Sequence, residues 1–208
     1  MANEFQTPQE SFWAGDFGDA YASRNCSSEL LASNLAFYSG ILGTTGKLNS
    51  VLEFGANIGM NLRALQLLQP GCKLSGLEIN ALAASELKKI TNIEQVFEQS
   101  IFDFAPARLY DLVLIKGVLI HLNPDRLKDA YSKLYESCGK YLLVAEYYSP
   151  APVSIPYRGH TDRLFKRDFA GEILELYPDM RLVDYGFLYR RDNAFPQDDI
   201  NWFLLGKM

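Results

Sequence analysis

Apolar and polar residues follow two different periods along this chain. Short, nearly continuous apolar runs predict buried strands at 50–55, 73–80, 94–101, 110–119 and 140–148. Between these runs, apolar residues recur three and four positions apart, which is typical of amphipathic helices. Strands that alternate with helices predict βαβ crossovers, and therefore a mostly parallel sheet with helices on both faces.

The predicted helices share this spacing and begin near residues that favour helix starts. They cover 27–42, 60–68, 81–90, 125–138 and 162–177. Asn80 is placed to cap the helix at 81–90, and Pro124 precedes the helix at 125–138.

The C-terminal third departs from the alternation of strands and helices. Two further strands, predicted at 181–191 and 200–208, are separated by the short segment DNAFPQDD. Because that segment is too short for a helical crossover, the two strands are predicted to pair antiparallel. The predicted fold class is therefore α/β, a doubly wound and mostly parallel seven-stranded sheet with a C-terminal antiparallel hairpin.

Length and composition predict one domain over 1–208. Within it we expect a helical N-terminal lid (1–45), a cofactor-binding core (46–148), an acceptor loop and helix (149–180) and the C-terminal hairpin (181–208). At 208 residues the chain can bury one sizeable core, and its 48% hydrophobic and 22% charged residues are ordinary for a soluble globular protein.

Charge, apolar runs and cysteine spacing argue against nucleic acid, a membrane or a metal ion as a partner of this chain. The formal net charge of -5 provides no basic field for a nucleic-acid backbone, so we expect no nucleic-acid partner. No apolar run approaches the ~18 residues of a membrane span, and no signal-peptide pattern opens the chain. The three cysteines lie far apart, without metal-ligand spacing. We therefore expect a cytoplasmic protein with reduced thiols, no metal and no membrane contact.

A glycine turn follows the first predicted strand, in the segment VLEFGANIGMNL. Gly55 and Gly59 let a ligand approach the backbone where the next helix begins. Asn57 stands where the dinucleotide fingerprint GxGxxG has its middle glycine, so the turn alone is a weak signal. The GK[ST] ending of a P-loop is missing.

Two more features follow the next two strands. Glu78 ends the second strand, 23 positions after Gly55, where a carboxylate can accept hydrogen bonds from ribose hydroxyls. In the segment SIFDF, Ile101 and Phe102 can border an adenine and Asp103 can hold its amino group. Glu78 as a helix cap and Phe102 as core are the alternatives. Carboxyl ends of parallel strands meet at one edge, which favours a shared nucleotide-type site.

The segments VLEFGANIG, GLEIN, QSIFDF and LVLIKGVLIHLNPD, together with the terminal hairpin, resemble the class I S-adenosylmethionine-dependent methyltransferases. The resemblance covers about residues 30 to 208 and implies a Rossmann-like fold. It implies S-adenosylmethionine (SAM) as cofactor and S-adenosylhomocysteine (SAH) as product. Together with the N-terminal segment, the cofactor-binding residues expected are Trp13, Tyr21, Arg24, Glu53, Gly55, Ala56, Asn57, Gly59, Glu78, Ile79, Asn80, Ser100, Ile101, Phe102, Lys116, Gly117 and Val118.

In this resemblance, the residues from Gly55 to Gly59 wrap the methionine portion, Glu78 holds the ribose, and Lys116 to Val118 form the floor beneath the sulfonium. The segments FWAGDFGDAYASRN, EYYSPAPVSIPYRGH and LFKRDFAGEI resemble, over nearly the whole chain, methylases associated with pseudaminic acid biosynthesis. That resemblance implies a small acidic sugar of the nonulosonic type, or its nucleotide-linked form, as acceptor. It leaves open the acceptor's identity, the choice of oxygen or nitrogen, and the oligomeric state.

Two residues at strand ends are the predicted catalytic groups. His121 follows the fourth strand, where a neutral imidazole can take a proton from a hydroxyl or an ammonium. A His that only shapes the cleft wall is the alternative. Tyr147 ends the fifth strand and is the second candidate.

A cationic and aromatic segment after the fifth strand is suited to an acidic acceptor. Three prolines stiffen it. The predicted acceptor-binding residues are Tyr148, Tyr157, Arg158, His160 and Lys166. Alternatively, Arg163, Lys166 and Arg167 form the solvated face of a helix and pair with Asp162, Asp168 and Glu172.

The N-terminal aromatics are four residues apart, at Trp13, Phe17 and Tyr21, and so predict one face of a helix. We expect this face to cover the cofactor, with Arg24 reaching a cofactor carboxylate, and Phe12 to pack in the core. A nucleotide-binding module without transfer activity is the alternative function. A dinucleotide oxidoreductase is disfavoured because the full GxGxxG is absent.

Overall fold

The computed structural model describes residues 5–24 and 26–208. In these residues the α-helices are α1 (Pro8–Ala14), α2 (Asp16–Ala22), α3 (Ser28–Thr45), α4 (Met60–Leu68), α5 (Ala81–Leu87), α6 (Leu127–Ser137) and α7 (Phe169–Leu176). The strands are β1 (Ser50–Phe54), β2 (Lys73–Glu78), β3 (Ile93–Glu98), β4 (Tyr110–Lys116), β5 (Cys138–Glu146), β6 (Val153–Ser154), β7 (Phe165–Lys166), β8 (Met180–Leu188) and β9 (Ile200–Lys207). Single 3-10 turns span Leu119–His121 and Pro124–Arg126.

The described residues form a seven-stranded sheet with the order β3-β2-β1-β4-β5-β9-β8. Strands β1 to β5 pair in parallel, and β9 runs antiparallel between β5 and β8. The predicted doubly wound sheet with a C-terminal antiparallel hairpin is therefore confirmed. Strand order reverses between β1 and β4, and ligands of open α/β sheets bind at the carboxyl edge of such a point.

The core lies on both faces of the sheet, in two clusters. Val113 and Leu142 pack with α6 and α7 on one face, whereas Leu112 and Leu143 pack with α3 and α4 on the other. All four side chains are fully buried. Strands covered on both faces need apolar residues at every position, which explains the continuous apolar runs in the sequence.

Most predicted strands extend one to three residues beyond the observed carboxyl ends, because the chain leaves the sheet there to form turns. Gly117, directly after β4, has a φ of 67°. The prediction of helix from residue 162 is wrong in its first half: Phe165–Lys166 pairs antiparallel with Val153–Ser154. The helix begins only at Phe169, where Asp168 Oδ1 accepts the Gly171 N–H at 2.8 Å.

The N-terminal segment forms two short helices rather than one. α1 ends at Gly15, whose extended backbone starts α2. The rings of Trp13 and Tyr21 are 5.3 Å apart, although eight residues of one straight helix would rise about 12 Å. The prediction of a single helical face is therefore wrong, since a corner at Gly15 brings the aromatics together. Residues 1–4 and 25 of the predicted lid lie outside the described residues.

No helix in the described part of the chain is both long and apolar enough to cross a membrane.

Candidate functional site

A cavity of about 550 Å³ lies at the carboxyl edge of the sheet. The turns after β1, β2, β3 and β4 line it, and the α1–α2 segment and the β8–β9 loop complete its walls. The predicted site residues that line it are Trp13, Tyr21, Arg24, Gly55, Ala56, Asn57, Glu78, Ile79, Asn80, Ser100, Ile101, Phe102, Lys116, Gly117, Val118 and His121. Glu53 and Gly59 do not line it. Whether each residue binds the cofactor stays a prediction.

The turn after β1 keeps a glycine-like shape although its middle glycine is replaced. Gly55, Asn57 and Gly59 have φ values of 68°, 49° and 80°, all left-handed. Asparagine tolerates this region better than other side chains do, and Asn57 Oδ1 accepts the Ile58 N–H at 2.8 Å. A Cβ at Gly55 would meet Val118 at 2.5 Å. The turn therefore needs glycine at Gly55 and accommodates Asn57.

The Glu78 carboxylate joins two of these turns. Its Oε2 accepts the Asn57 N–H at 2.7 Å and its Oε1 accepts the Asn80 N–H at 2.8 Å. Burial raises the pKa of Glu78, and these hydrogen bonds oppose the rise. Each oxygen retains acceptor capacity for a further hydroxyl. Asn80 caps α5 through its own Oδ1, which accepts the Ala83 N–H at 2.8 Å, so Glu78 is not the helix cap.

The segment after β3 contributes an apolar wall. Phe102 lines the cavity, packs in the core cluster and carries the Arg126 guanidinium 4.3 Å above its ring. Asp103 is not among the lining residues: it is exposed and accepts a hydrogen bond from Gln6 Nε2 at 2.6 Å. Ser100 donates a short hydrogen bond to Glu10, so α1 is attached directly to this wall.

A buried polar network lies around Lys116. The Lys116 ammonium donates to Asn34 Oδ1 at 3.0 Å and to Gln197 Oε1 at 2.6 Å. Burial lowers the pKa of Lys116 to about 8. Glu53 accepts a hydrogen bond from Asn61 Nδ2 at 2.6 Å, and burial raises the pKa of Glu53 to about 8. Asn61 Oδ1 lies 3.4 Å from the Lys116 ammonium, so Glu53 acts on the cavity only through its neighbours.

The β8–β9 loop reaches the cavity through residues that the sequence analysis did not identify. Gln197 is only 8% exposed within an otherwise exposed loop, and its Nε2 donates to the Ser33 carbonyl at 3.0 Å. This anchor places Arg190 and Asp198 in the cavity lining. No local signal marks Gln197, because its partners, Ser33 in α3 and Lys116 at the end of β4, lie far away in the chain.

Tyr147, the second predicted catalytic residue, is not itself part of the lining. It lies near the Asp198 carboxylate, which does line the cavity, and burial followed by this carboxylate raises the pKa of Tyr147. Burial also raises the pKa of Tyr21 to about 12, again with a contribution from Asp198. Tyr147 and Tyr21 are therefore neutral hydroxyls beside one carboxylate at neutral pH.

His121 is buried in the cavity wall with a defined proton position. Its Nδ1 lies 2.6 Å from the Arg163 carbonyl oxygen. Since a carbonyl only accepts, Nδ1 carries the proton and Nε2 has the free lone pair. Its ring centroid is 4.7 Å from that of Trp13 and 5.1 Å from that of Tyr157. Burial lowers the pKa of His121 to about 4, so the imidazole is neutral near pH 7.

Lowering the pH from 6.5 to 4 is expected to destabilise the wild-type protein relative to His121→Asn. The pKa of His121 falls from 6.5 to about 4 on folding. The unfolded chain therefore binds this proton first, and unfolding becomes easier as pH falls through that window. At pH 4 the resulting loss in the free energy of unfolding, relative to His121→Asn, reaches about 3 kcal/mol. Urea unfolding of both proteins at several pH values measures it, and a pH-independent difference would show that the pKa is not lowered.

None of the predicted acceptor-binding residues lines the cavity. Tyr157 and His160 close a two-residue turn with reciprocal backbone hydrogen bonds of 2.7 and 2.9 Å. This turn contacts the N-terminal helices, with the Arg158 guanidinium 5.9 Å from the Phe17 ring and the His160 ring 5.2 Å from that of Phe12.

The remaining cationic residues of this segment separate into two groups. The Lys166 ammonium lies 5.1 Å above the Tyr147 ring, close to the Asp198 side of the cavity. Arg167 pairs with Glu172 at 2.7 Å and Arg163 pairs with Asp162, as the alternative interpretation predicted, although both arginines precede α7.

Tyr148 contacts Phe203 on the sheet, with ring centroids 6.0 Å apart, away from the cavity.

The α1–α2 segment is fastened to the cavity edge through Asn80. Asn80 Nδ2 donates to Asp19 Oδ1 at 2.7 Å and approaches the Trp13 carbonyl at 3.3 Å. Phe12 is half-buried and stacks on Phe17 at 4.2 Å, outside the core clusters of the described residues. The prediction that Phe12 packs in the core is therefore wrong.

Within residues 5–24 and 26–208, no group of three or more His, Cys, Asp or Glu side chains is arranged to hold a metal ion.

By sequence, the chain matches no protein-family model and no curated protein. By structure, it is similar to the plantazolicin methyltransferase BpumL in complex with SAH, with a TM-score of 0.66 and 15% identity over 96% of this chain and 93% of that one. It is also similar to the magnesium protoporphyrin IX methyltransferase ChlM from Synechocystis PCC 6803 with bound SAH. That match has a TM-score of 0.69 and 12% identity, over 96% and 98% of the two chains.

A third similar structure is the glycopeptide N-methyltransferase MtfA complexed with SAM, with a TM-score of 0.63 and 13% identity over 86% of this chain and 94% of that one. At such identities the likeness shows a shared fold alone.

Proposed function

We propose that this protein transfers the methyl group of SAM to a small acidic acceptor. The observation that carries the proposal is the convergence of the turn at Gly55–Gly59, the Glu78 carboxylate and the segment Lys116–Val118 around one cavity. The similar structures BpumL, ChlM and MtfA hold SAH or SAM, which supports the choice of cofactor.

The residues around the cavity fit this cofactor. The turn from Gly55 to Gly59 would surround the methionine portion, Glu78 would accept hydrogen bonds from the ribose hydroxyls, and Phe102 would border the adenine. Arg24 or Lys116 would meet the carboxylate. When bound, the cofactor supplies a methyl group on a sulfonium, which is electrophilic without a metal.

The protein's own contribution is enclosure, orientation and a place for a proton. The α1–α2 segment and the β8–β9 loop would shield bound cofactor from water. His121 Nε2 would accept the proton that the acceptor's hydroxyl or ammonium loses. Because the lowered pKa makes His121 a weak base, its role is greatest for an acceptor group that becomes acidic during transfer. Tyr147 and the nearby Asp198 carboxylate would orient the acceptor.

An acidic acceptor is supported by cationic side chains at the cavity. Arg24 and Arg190 line it, and Arg158 lies close enough to Tyr21 to affect its ionisation. These arginines stand out in a chain of net charge -5. A nonulosonic, pseudaminic-type sugar or its nucleotide-linked form carries the required carboxylate. Another small carboxylate-bearing metabolite is the alternative.

We place the reaction in the cytoplasm, which the free thiols at Cys26, Cys72 and Cys138 support.

Titration calorimetry and thermal unfolding with SAM, SAH and NAD test the choice of cofactor. We expect SAM and SAH to bind and stabilise the protein and NAD to have no effect, because the turn lacks the full GxGxxG. Stabilisation by NAD alone would contradict the proposal.

Incubation with methyl-labelled SAM and a panel of nonulosonic acids, free and nucleotide-activated, tests the acceptor. Label transfer to an acidic sugar is expected. Label transfer only to other carboxylate-bearing metabolites would contradict the assignment of a sugar as acceptor. Cofactor binding without transfer to any acceptor would favour a binding module without transfer activity.

A further inference from the structure

The C-terminal edge of the sheet presents a row of exposed aromatic side chains. Directly paired residues share a face of a sheet, so Tyr185 lies on the face of Phe203, its partner on β9. Phe187 follows two positions later on the same face, and Tyr189 continues the row. These three side chains are 67%, 53% and 47% exposed. The β8 aromatic surface, as we define it, consists of Tyr148, Leu182, Tyr185, Phe187, Tyr189 and Phe203.

The rings of this surface lie in two groups, which adjoin along β8 because Tyr185 and Phe187 are two positions apart in one strand. Ring centroids are 6.0 Å apart for Tyr148 and Phe203, 6.5 Å for Tyr185 and Phe203, and 5.9 Å for Phe187 and Tyr189. Contiguous exposed apolar patches of this kind mark interaction sites more often than scattered apolar residues do.

Helix α3 packs on the opposite face of the same strands. There, the Phe37 ring of α3 lies 5.9 Å from the Trp202 ring, and Thr44 bonds Asp184. On the aromatic face, α7 packs against the Met180 end of β8. Beyond it, Tyr185, Phe187 and Tyr189 stay exposed in the described structure. The sheet therefore has one incompletely covered face at this edge.

β8 is also the last strand of the sheet formed by the described residues. Its nine residues, Met180–Leu188, contain neither proline nor lysine, the residues that commonly protect an edge strand. One register shift, between Leu182 and Asp184, interrupts its pairing with β9. A long edge strand with exposed aromatic side chains offers both backbone groups and apolar area to a partner.

We propose that β8 pairs antiparallel with β8 of a second copy of this chain, about a two-fold axis. The second copy would then pair with the backbone groups of the open strand edge and also cover the β8 aromatic surface. A two-fold interface is self-complementary, and aromatic cross-strand pairs stabilise antiparallel sheets. Arg181 and Asp184 are the charged residues of β8, and their opposite signs give the strand no net charge that would oppose self-association.

The aromatic side chains alone supply about half of the area that a dimer interface needs. At ~150–250 Å² for each aromatic side chain, half-exposure of four of them leaves on the order of 400 Å² of surface. A stable interface buries about 800 Å² on each partner. Leu182 and Val183, exposed by 47% and 45%, and the paired strand edges supply further area.

This interface is independent of the proposed methyl transfer. Its test is sedimentation velocity of the full chain over a wide concentration range, for wild type and for the double variant Tyr185→Lys/Phe187→Lys. We expect the wild type to be a dimer and the variant's dimer dissociation constant to rise by at least ~30-fold, because buried aromatics dominate such interfaces. The matched control is Leu67→Lys/Leu109→Lys, which changes two leucines that are 59% and 60% exposed elsewhere and should leave the dimer intact.

Hydrogen exchange distinguishes strand pairing from other contacts. Amides of 180–188 should gain protection as wild-type protein concentration rises, and the aromatic double variant should not gain it. A wild type that remains monomeric would overturn the proposal and assign the surface to a different partner. A dimer that persists in the aromatic double variant, or that forms without protection of 180–188, would overturn it as well.

Discussion

Replacing Glu78 with alanine is expected to weaken SAH binding by at least about 100-fold. Two hydrogen bonds to a charged carboxylate are each worth ~1.5–3 kcal/mol, so losing both from the ribose hydroxyls accounts for this effect. The substitution also removes the acceptor of the Asn57 and Asn80 N–H groups, which loosens the two turns. Titration calorimetry with SAH measures the affinity.

Glu98→Ala is the matched control for this substitution. Glu98 is the same residue type at the end of β3, directly opposite Glu78 in the strand register, but it pairs with Lys88 at the surface and does not line the cavity. The Glu98→Ala variant should therefore bind SAH with the affinity of the wild type. If Glu78→Ala unfolds cooperatively and still binds SAH with wild-type affinity, the ribose assignment is wrong.

Gly18→Val is expected to lower SAH affinity by ~10–100-fold while leaving the sheet folded. A Cβ at Gly18 would overlap the Trp13 carbonyl oxygen and lie 2.9 Å from Asn80 Nδ2. The corner between α1 and α2 must then open, which moves Trp13 and Tyr21 away from the cavity. The main core clusters on the two faces of the sheet do not contain this segment, so the change in thermal unfolding should be small compared with the change in affinity.

Gly40→Ala provides the control for adding a Cβ to a helix. A Cβ at Gly40, in α3, meets no described atom within 4 Å. Gly40→Ala should bind SAH with wild-type affinity. It should stabilise the protein by ~0.5–1 kcal/mol, because alanine loses less conformational entropy than glycine when a helix forms. Wild-type SAH affinity in Gly18→Val would contradict the assignment of α1–α2 as a cover. A global loss of folding would instead give this segment a structural role.

The existence of the strands and the position of Glu78 could be predicted because they depend on local patterns. Apolar runs specify strands that are buried on both faces, and a polar residue at the end of such a run must lie at the sheet's carboxyl edge. The short segment before β9 excludes a parallel crossover on length alone. Asn57 is compatible with a glycine turn because its own tolerance of left-handed backbone is a local property.

The contacts around Lys116 could not be predicted in this way. Asn34, Asn61 and Gln197 come from α3, α4 and the β8–β9 loop, and their spacing in the sequence has no period that links them. Tyr148 illustrates the reverse case: it follows Tyr147 at a strand end, yet its ring lies on the sheet beside Phe203. The chain has left β5 at this point, so the strand pattern does not specify where either tyrosine side chain lies.

The sequence by itself determined the layered sheet, the C-terminal hairpin, the turn at Gly55 and the carboxylate at Glu78, since each follows from the periodicity or conformational preference of nearby residues. Only the tertiary structure decided that Gln197 anchors the β8–β9 loop at the cavity, that a corner at Gly15 places Trp13 against Tyr21, and that the aromatics of β8 remain exposed. Burial and contact between distant segments depend on how all of the elements pack together, and no local pattern specifies that packing.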